Sequence, residues 1–159
     1  MAQPTPQAVG WAIREARHDD IPQLCVMLDM LRQETMWRTL PVGSDYDYAA
    51  QQLGKKLVDP SQAILVADTG RRIVGMIGGT LITYPFLQNV RYVAEWAIWV
   101  SPAHRHQRIG WTLWQQLIAW GTRRGAMGSM YGRPKAVSHI GQHVVIEEMV
   151  WTYWGKATA

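Results

Sequence analysis

Cysteine is almost missing from this chain: Cys25 stands alone among 159 residues. One thiol excludes an internal disulfide and a Cys-rich zinc cage. It falls on the apolar side of a helix-spaced run, where it reads as a small core residue; a reactive thiol is the other reading. No apolar run reaches the ~18 residues that a membrane span needs. The first ten residues, MAQPTPQAVG, lack the basic start and apolar centre of a signal peptide. They read as a flexible leader over 1–10, with a single domain over 11–159. The expected location is the cytoplasm, with no membrane partner. No histidine pair has metal-site spacing with acidic partners, so no metal is expected. There is no internal repeat, low-complexity tract or interdomain linker. Acid is scarce too: Glu95 is the only carboxylate between Asp68 and Glu147.

What is there is ordinary for a folded domain, with 48% hydrophobic and 18% charged residues. Tryptophan is abundant, and five of the nine lie between Trp96 and Trp120. The net charge of +4 and the basic residues Arg105, Arg108, Arg123, Arg124, Arg133 and Lys135 suggest an anionic ligand. Nucleic acid is one such ligand, but the excess is small and no block of five basic residues occurs.

The patterning predicts ten elements. Trp11–Ala16 reads as a strand. A helix follows from Asp19-Asp20 to about Trp37, with Ile21, Leu24, Cys25, Leu28 and Leu31 on one face. Asp45-Tyr46-Asp47-Tyr48 opens a second helix to about Val58; its acids read as a cap, or as the wall of a site for a cation. Ala63–Asp68 and Arg72–Tyr84 form a hairpin, and Gly75, Gly78 and Gly79 predict a bulge or a close backbone approach. Arg91–Ser101 is a strand with Val93, Glu95, Ala97 and Trp99 on one side. Gln107–Arg123 is a helix that buries Leu113, Trp114, Leu117 and Ile118. Met127–Tyr131 is a short strand, Gly132–Gly141 contains a short helix, and Val144–Trp154 is a long last strand. The order β-α-α-β-β-β-α-β-α-β implies an α/β (α+β) fold, a mixed sheet with helices on both faces. Its one strand–helix–strand crossover makes two strands parallel.

The strand and helix around residues 95–120 form a device for holding phosphate. The first N–H groups of a helix have no internal partner, and the helix dipole favours an anion there. Val100-Ser101-Pro102-Ala103-His104-Arg105-His106-Gln107-Arg108-Ile109-Gly110 resembles the acyl-CoA motif of the GCN5-related N-acetyltransferases, the GNAT family. In that family Val-x-Pro-x-x-Arg runs into Arg/Gln-x-x-Gly-x-Gly/Ala. Arg105 matches the first position, Gly110 the last, and Arg108 replaces the middle glycine. The element order resembles the family's from Trp11 to Trp154. Members encoded by bacteriophages and prophages are similar, with a Glu, a Trp-rich strand end and few motif glycines.

The resemblance implies transfer of an acetyl group from acetyl-CoA to an amine, either a small molecule or a protein lysine or N-terminus. Backbone at Ile98, Trp99 and Val100 would pair with the pantetheine arm, and a backbone N–H there would hold the oxyanion. The turn through Arg105, His106, Gln107, Arg108, Ile109, Gly110 and Trp111 would hold the pyrophosphate. Glu95 is the candidate general base, working through a water, with a pKa raised by its aromatic surroundings; a structural carboxylate paired with Arg91 or a backbone donor is the alternative. Tyr131 is the candidate acid, and His139 reads as a surface or packing residue. Two other functions fit the composition: a CoA-binding or protein-interaction module without efficient catalysis, and a nucleic-acid-binding protein using Arg123, Arg124, Arg133 and Lys135. A homodimer through the last strand is a further expectation.

Overall fold

The computed structural model describes residues 10–39, 43–140 and 143–153, with side chains throughout except at 36, 39, 133–140, 143–151 and 153. The chain runs β1 (Ala12–Glu15), α1 (Ile21–Glu34), α2 (Tyr46–Val58), β2 (Gln62–Asp68), β3 (Ile73–Thr83), β4 (Arg91–Val100), α3 (Ile109–Thr122), β5 (Ala126–Ile140) and β6 (His143–Tyr153). Short 3₁₀ turns occupy His18–Asp20, Met36–Thr39 and Pro102–Gln107. The strands form one six-stranded sheet in sequence order. All neighbours are antiparallel except β4 and β5, which the α3 crossover makes parallel.

Two expectations are corrected. The short helix predicted over Gly132–Gly141 is absent over its described residues: β5 continues to Ile140 and pairs with β6 through the stretch predicted as helical. A helix is not needed there because pairing with the neighbouring strand satisfies the backbone groups. The strict alternation predicted for β4 also fails. Gly79 pairs with Glu95 but Gly78 pairs with Ala97, leaving Trp96 as an extra residue in a bulge. Trp96, Ala97 and Trp99 therefore pack toward α1 and α2, whereas Val93, Ile98 and Val100 pack toward α3. Gly78 is what permits this: a Cβ there would lie 2.1 Å from the Trp96 ring.

The core has two layers. On one face α3 lays Ile109, Leu113, Leu117 and Trp120 over Leu65, Ala67, Val74, Ile77 and Val93. The sequence pattern had this face rotated by part of a turn: Trp114 and Ile118 are only half-buried, while Ile109 and Trp120 are buried. On the other face α1 and α2 contribute Ile21, Leu24, Cys25, Met27 and Leu53 over Ile64, Val66, Ile73 and Met76. Cys25 is buried, and burial raises its thiol pKa, as a core residue requires. Each fully buried Leu contributes about 1.5–3 kcal/mol by leaving water.

Polar ties fix the α1 and α2 side. Arg14 of β1 grips the buried Asp20 through two nitrogens, at 2.7 and 2.9 Å, and donates its Nε to Asp68 at 2.8 Å. These bonds hold both carboxyls below the usual range. At the start of α2, Asp45 accepts the Tyr48 N–H at 2.9 Å, so it is a helix cap. Asp29 of α1 accepts from Ser44, Tyr46 and Arg32, which fastens the approach to α2 against α1.

Candidate functional site

β4 and β5 pair only as far as Ala94 and Met130. Beyond that point β4 pairs with β3 alone, and no described strand covers the other edge of residues 95–100. β4 then ends in the 3₁₀ turn Pro102–Gln107, which delivers the N-terminus of α3. The result is a slot along an open strand edge, closed at one end by a helix N-terminus.

Arg108 caps α3 in the left-handed region, at φ 60° and ψ 17°, and no side chain caps the helix. Its carbonyl accepts the Thr112 N–H at 3.0 Å. The N–H groups of Ile109, Gly110 and Trp111 precede the first intrahelical bond, so the helix itself gives them no acceptor. The Ile109 side chain is buried in the core and anchors this turn. His106, Gln107 and Arg108 are exposed, and so is Trp111. A Cβ at Gly110 would meet nothing closer than Val100, at 3.7 Å. No protein contact demands that glycine.

The left-handed backbone explains why this position favours glycine. A side chain costs about 1–2 kcal/mol there, whatever its effect on a ligand. Arg108 thus departs from the expectation in its physical reason: backbone conformation, rather than clearance alone, sets the preference.

Arg105 does not stand open to solvent as a simple phosphate hook. Its Nε donates to the Val100 carbonyl at 3.0 Å, and its Nη2 donates to Glu34 at 2.5 Å. The other Glu34 oxygen accepts the Trp99 indole N–H at 3.3 Å. Sequence reasoning missed Glu34. A carboxylate in the last turn of a helix opposes the helix dipole, and that misfit was the available signal.

Glu95 is the first β4 residue past the stretch paired with β5, and it is half-buried. Its cross-strand partner is Gly79, where a Cβ would meet Leu117 of α3, so the register puts residue 95 on the α3 side. Tyr131 is the next residue of β5 after Met130. It meets Trp114 of α3 edge-on, with ring centroids 5.1 Å apart. The candidates Glu95 and Tyr131 thus both lie just past the last β4–β5 pair, where the two strands part. Ile98, Trp99 and Val100 line the edge beyond.

On the α1 side, an apolar cleft of about 380 Å³ lies between α1, the start of β3 and the end of β4, with Val26, Met27 and Trp99 in its wall. Among the described residues no group of three His, Cys, Asp or Glu side chains could hold a metal, and no helix is long and apolar enough to cross a membrane. Of the basic residues expected on a nucleic-acid face, Arg124 stacks on Trp120 at 4.6 Å and donates to the Trp120 carbonyl. The side chains of Arg133, Lys135 and His139 lie outside the described residues.

Comparison with known proteins bears on the same features. The model of a family described as the acetyltransferase (GNAT) family matches residues 27–136. No curated protein matches the sequence. Among solved structures, yncA from Salmonella typhimurium, with its cofactor acetyl-CoA, superposes with a TM-score of 0.71 at 14% identity, over 94% of this chain and 97% of that one. A ribosomal-protein-alanine N-acetyltransferase from Brucella melitensis gives 0.63 at 21% identity, over 77% and 74%. An aminoglycoside acetyltransferase from an uncultured soil metagenomic sample, in complex with sisomicin, gives 0.61 at 16%, over 79% and 78%. At these identities the likeness is one of fold.

Proposed function

The chain belongs to the GNAT acetyltransferase family, and on that premise we propose that it moves an acetyl group from acetyl-CoA to an amine acceptor, a small molecule or a protein lysine or N-terminus. The observation that carries the reading is the parting of β4 and β5 just after Ala94 and Met130, beside an uncapped helix N-terminus. An extended arm ending in a pyrophosphate matches that slot and its closed end. The room at Gly110 and the edge of Ile98–Val100 that no described strand covers fit such a molecule as well.

When bound, acetyl-CoA supplies an activated acetyl group on a thiol, which ionises far more readily than an alcohol and so leaves more easily. The α3 N–H groups hold its phosphates. The exposed Trp111 flanks them, and the edge of β4 pairs with the arm as an added strand would. A backbone N–H near Ile98 stabilises the charge that develops on the carbonyl oxygen. Glu95 takes a proton from the ammonium acceptor through a water, and Tyr131, across the parting strands, is the donor to the leaving thiolate. The bacteriophage-type subgroup, the cytoplasmic setting and a homodimer remain parts of this proposal, supported by the sequence features given above.

Two measurements test it. Acetyl-CoA should quench tryptophan fluorescence and raise the melting temperature by linkage; no response at millimolar ligand sinks the reading. Glu95→Gln should lower kcat by about 10²–10⁴, the usual worth of a general base, with CoA affinity kept. An equal loss of binding would make Glu95 structural.

A further inference from the structure

Glu34 sits where a helix least favours a carboxylate, and it is held by two groups, from the end of β4 and from the turn that follows it. One is the Trp99 indole at the end of β4; the other is the Arg105 guanidinium in the phosphate turn. Arg105 is meanwhile tied to the Val100 carbonyl through Nε. The pair is exposed: the side chains retain 44% accessibility at Arg105 and 35% at Glu34. An ion pair at that exposure is worth only about 0–1 kcal/mol. A pyrophosphate arriving at the α3 N-terminus brings two negative charges and several acceptor oxygens against the one carboxylate, and so competes with it for the same guanidinium.

Resting on the proposed acetyl-CoA site, we propose that Glu34 is a positioning residue that acts as an exchangeable latch: it holds Arg105 to α1 while the slot is empty and gives it up to the phosphates of the incoming nucleotide. The latch is weak by design of its exposure, so exchange costs little. The Nε bond to Val100 survives the exchange, because only the terminal nitrogens need change partner. Glu34 therefore lowers nucleotide affinity in return for a turn that is ordered when empty.

Titration calorimetry with CoA separates this from a brace. Four proteins are compared at low salt: wild type, Glu34→Gln, Arg105→Gln and the double variant. Glu34→Gln should bind CoA about two- to fivefold more tightly, the fold-change equivalent of an exposed ion pair. The gain should vanish in the Arg105→Gln background and shrink at high salt. Pantetheine, which carries no phosphate, should bind wild type and Glu34→Gln alike. Weaker or equal CoA binding by Glu34→Gln overturns the latch and makes Glu34 a brace for Arg105. A gain that persists without Arg105 overturns it too, because the carboxylate would then act on the ligand directly. Failure of wild type itself to bind CoA is a different result: it removes the acetyl-CoA site on which the latch rests. Thermal melts of all four proteins show whether each is folded, so a variant that unfolds is replaced by Glu34→Ser in the same comparison.

Discussion

The two faces of the sheet are held by different physics. Under α3 the contacts are dry: Ile109, Leu113 and Leu117 are fully buried against β2, β3 and β4. Under α1 and α2 an apolar layer exists as well, but ion pairs and carboxylate hubs fix its margins: Arg14 with Asp20 and Asp68, Asp29 with Ser44 and Tyr46, Glu34 with Arg105 and Trp99. Close-packed apolar contacts fail steeply with a small displacement, whereas exposed polar contacts can exchange partners. The α3 face is therefore the rigid wall that sets the helix N-terminus. The α1 and α2 face is the one whose margin contacts can exchange partners.

The comparison breaks most visibly on the dry side. Leu117 packs so closely on the sheet that a Cβ at Gly79 would lie 2.7 Å from it. Leu117→Ala should cost about 2–5 kcal/mol in denaturant unfolding. A cost below about 1 kcal/mol would mean that the α3 layer collapses around the gap and is no more rigid than its counterpart.

On the polar side the expected loss is smaller and depends on pH. Asp20 is buried, and its hydrogen bonds to Arg14 hold its carboxyl below the ordinary value. A carboxyl whose pKa is depressed in the folded state contributes stability above its unfolded value of ~3.9. That contribution is lost as pH falls through the lower, folded value. Asp20→Asn should therefore cost about 2 kcal/mol at neutral pH, the worth of a hydrogen bond to a charged group. The deficit relative to wild type should shrink as the solution is acidified below about pH 4. Urea melts at a series of pH values measure it, and a deficit that does not vary with pH would show that the tie acts through packing instead of charge.

How much could be read from the chain alone follows the same division. The strand, turn and helix around the slot were legible because their signals are local: a Val-Ser-Pro strand end, basic turn residues and a helical apolar period. The parallel crossover followed from topology. The glycines of β3 pointed to a bulge or a close approach, and the register shifts at Gly78/Gly79; that Trp96 of the neighbouring strand is the extra residue was not legible, since it depends on Gly78 accepting an indole. The predicted helix after Gly132 failed because pairing with β6, unseen in a local window, decides that segment. Glu34 was hidden by distance, 71 residues from Arg105, and only its awkward place at a helix end pointed to it. Among the candidate site residues, Glu95 and Tyr131 are 36 residues apart in the sequence, and it is the strand register that puts both at the parting of β4 and β5.

The smallest effect sharpens the comparison at the junction of the two faces, where Arg108 holds the start of α3. Its φ of 60° is one that an L side chain adopts at a cost of about 1–2 kcal/mol. Arg108→Gly relieves that strain but frees the unfolded chain, which offsets about 0.4–1 kcal/mol. The strain is the larger quantity, so the variant should gain about 0.5–1 kcal/mol, read as a small rise in melting temperature without ligand. Because glycine keeps the same backbone turn, the α3 N–H groups stay in place, and any change in CoA affinity reports the guanidinium alone. An exposed charge near phosphate gives a two- to fivefold weakening on removal, about 0.4–1 kcal/mol. A variant that melts lower than wild type would mean that the Arg108 side chain makes a stabilising contact exceeding its backbone strain, and the turn would then belong with the polar face instead of the rigid one.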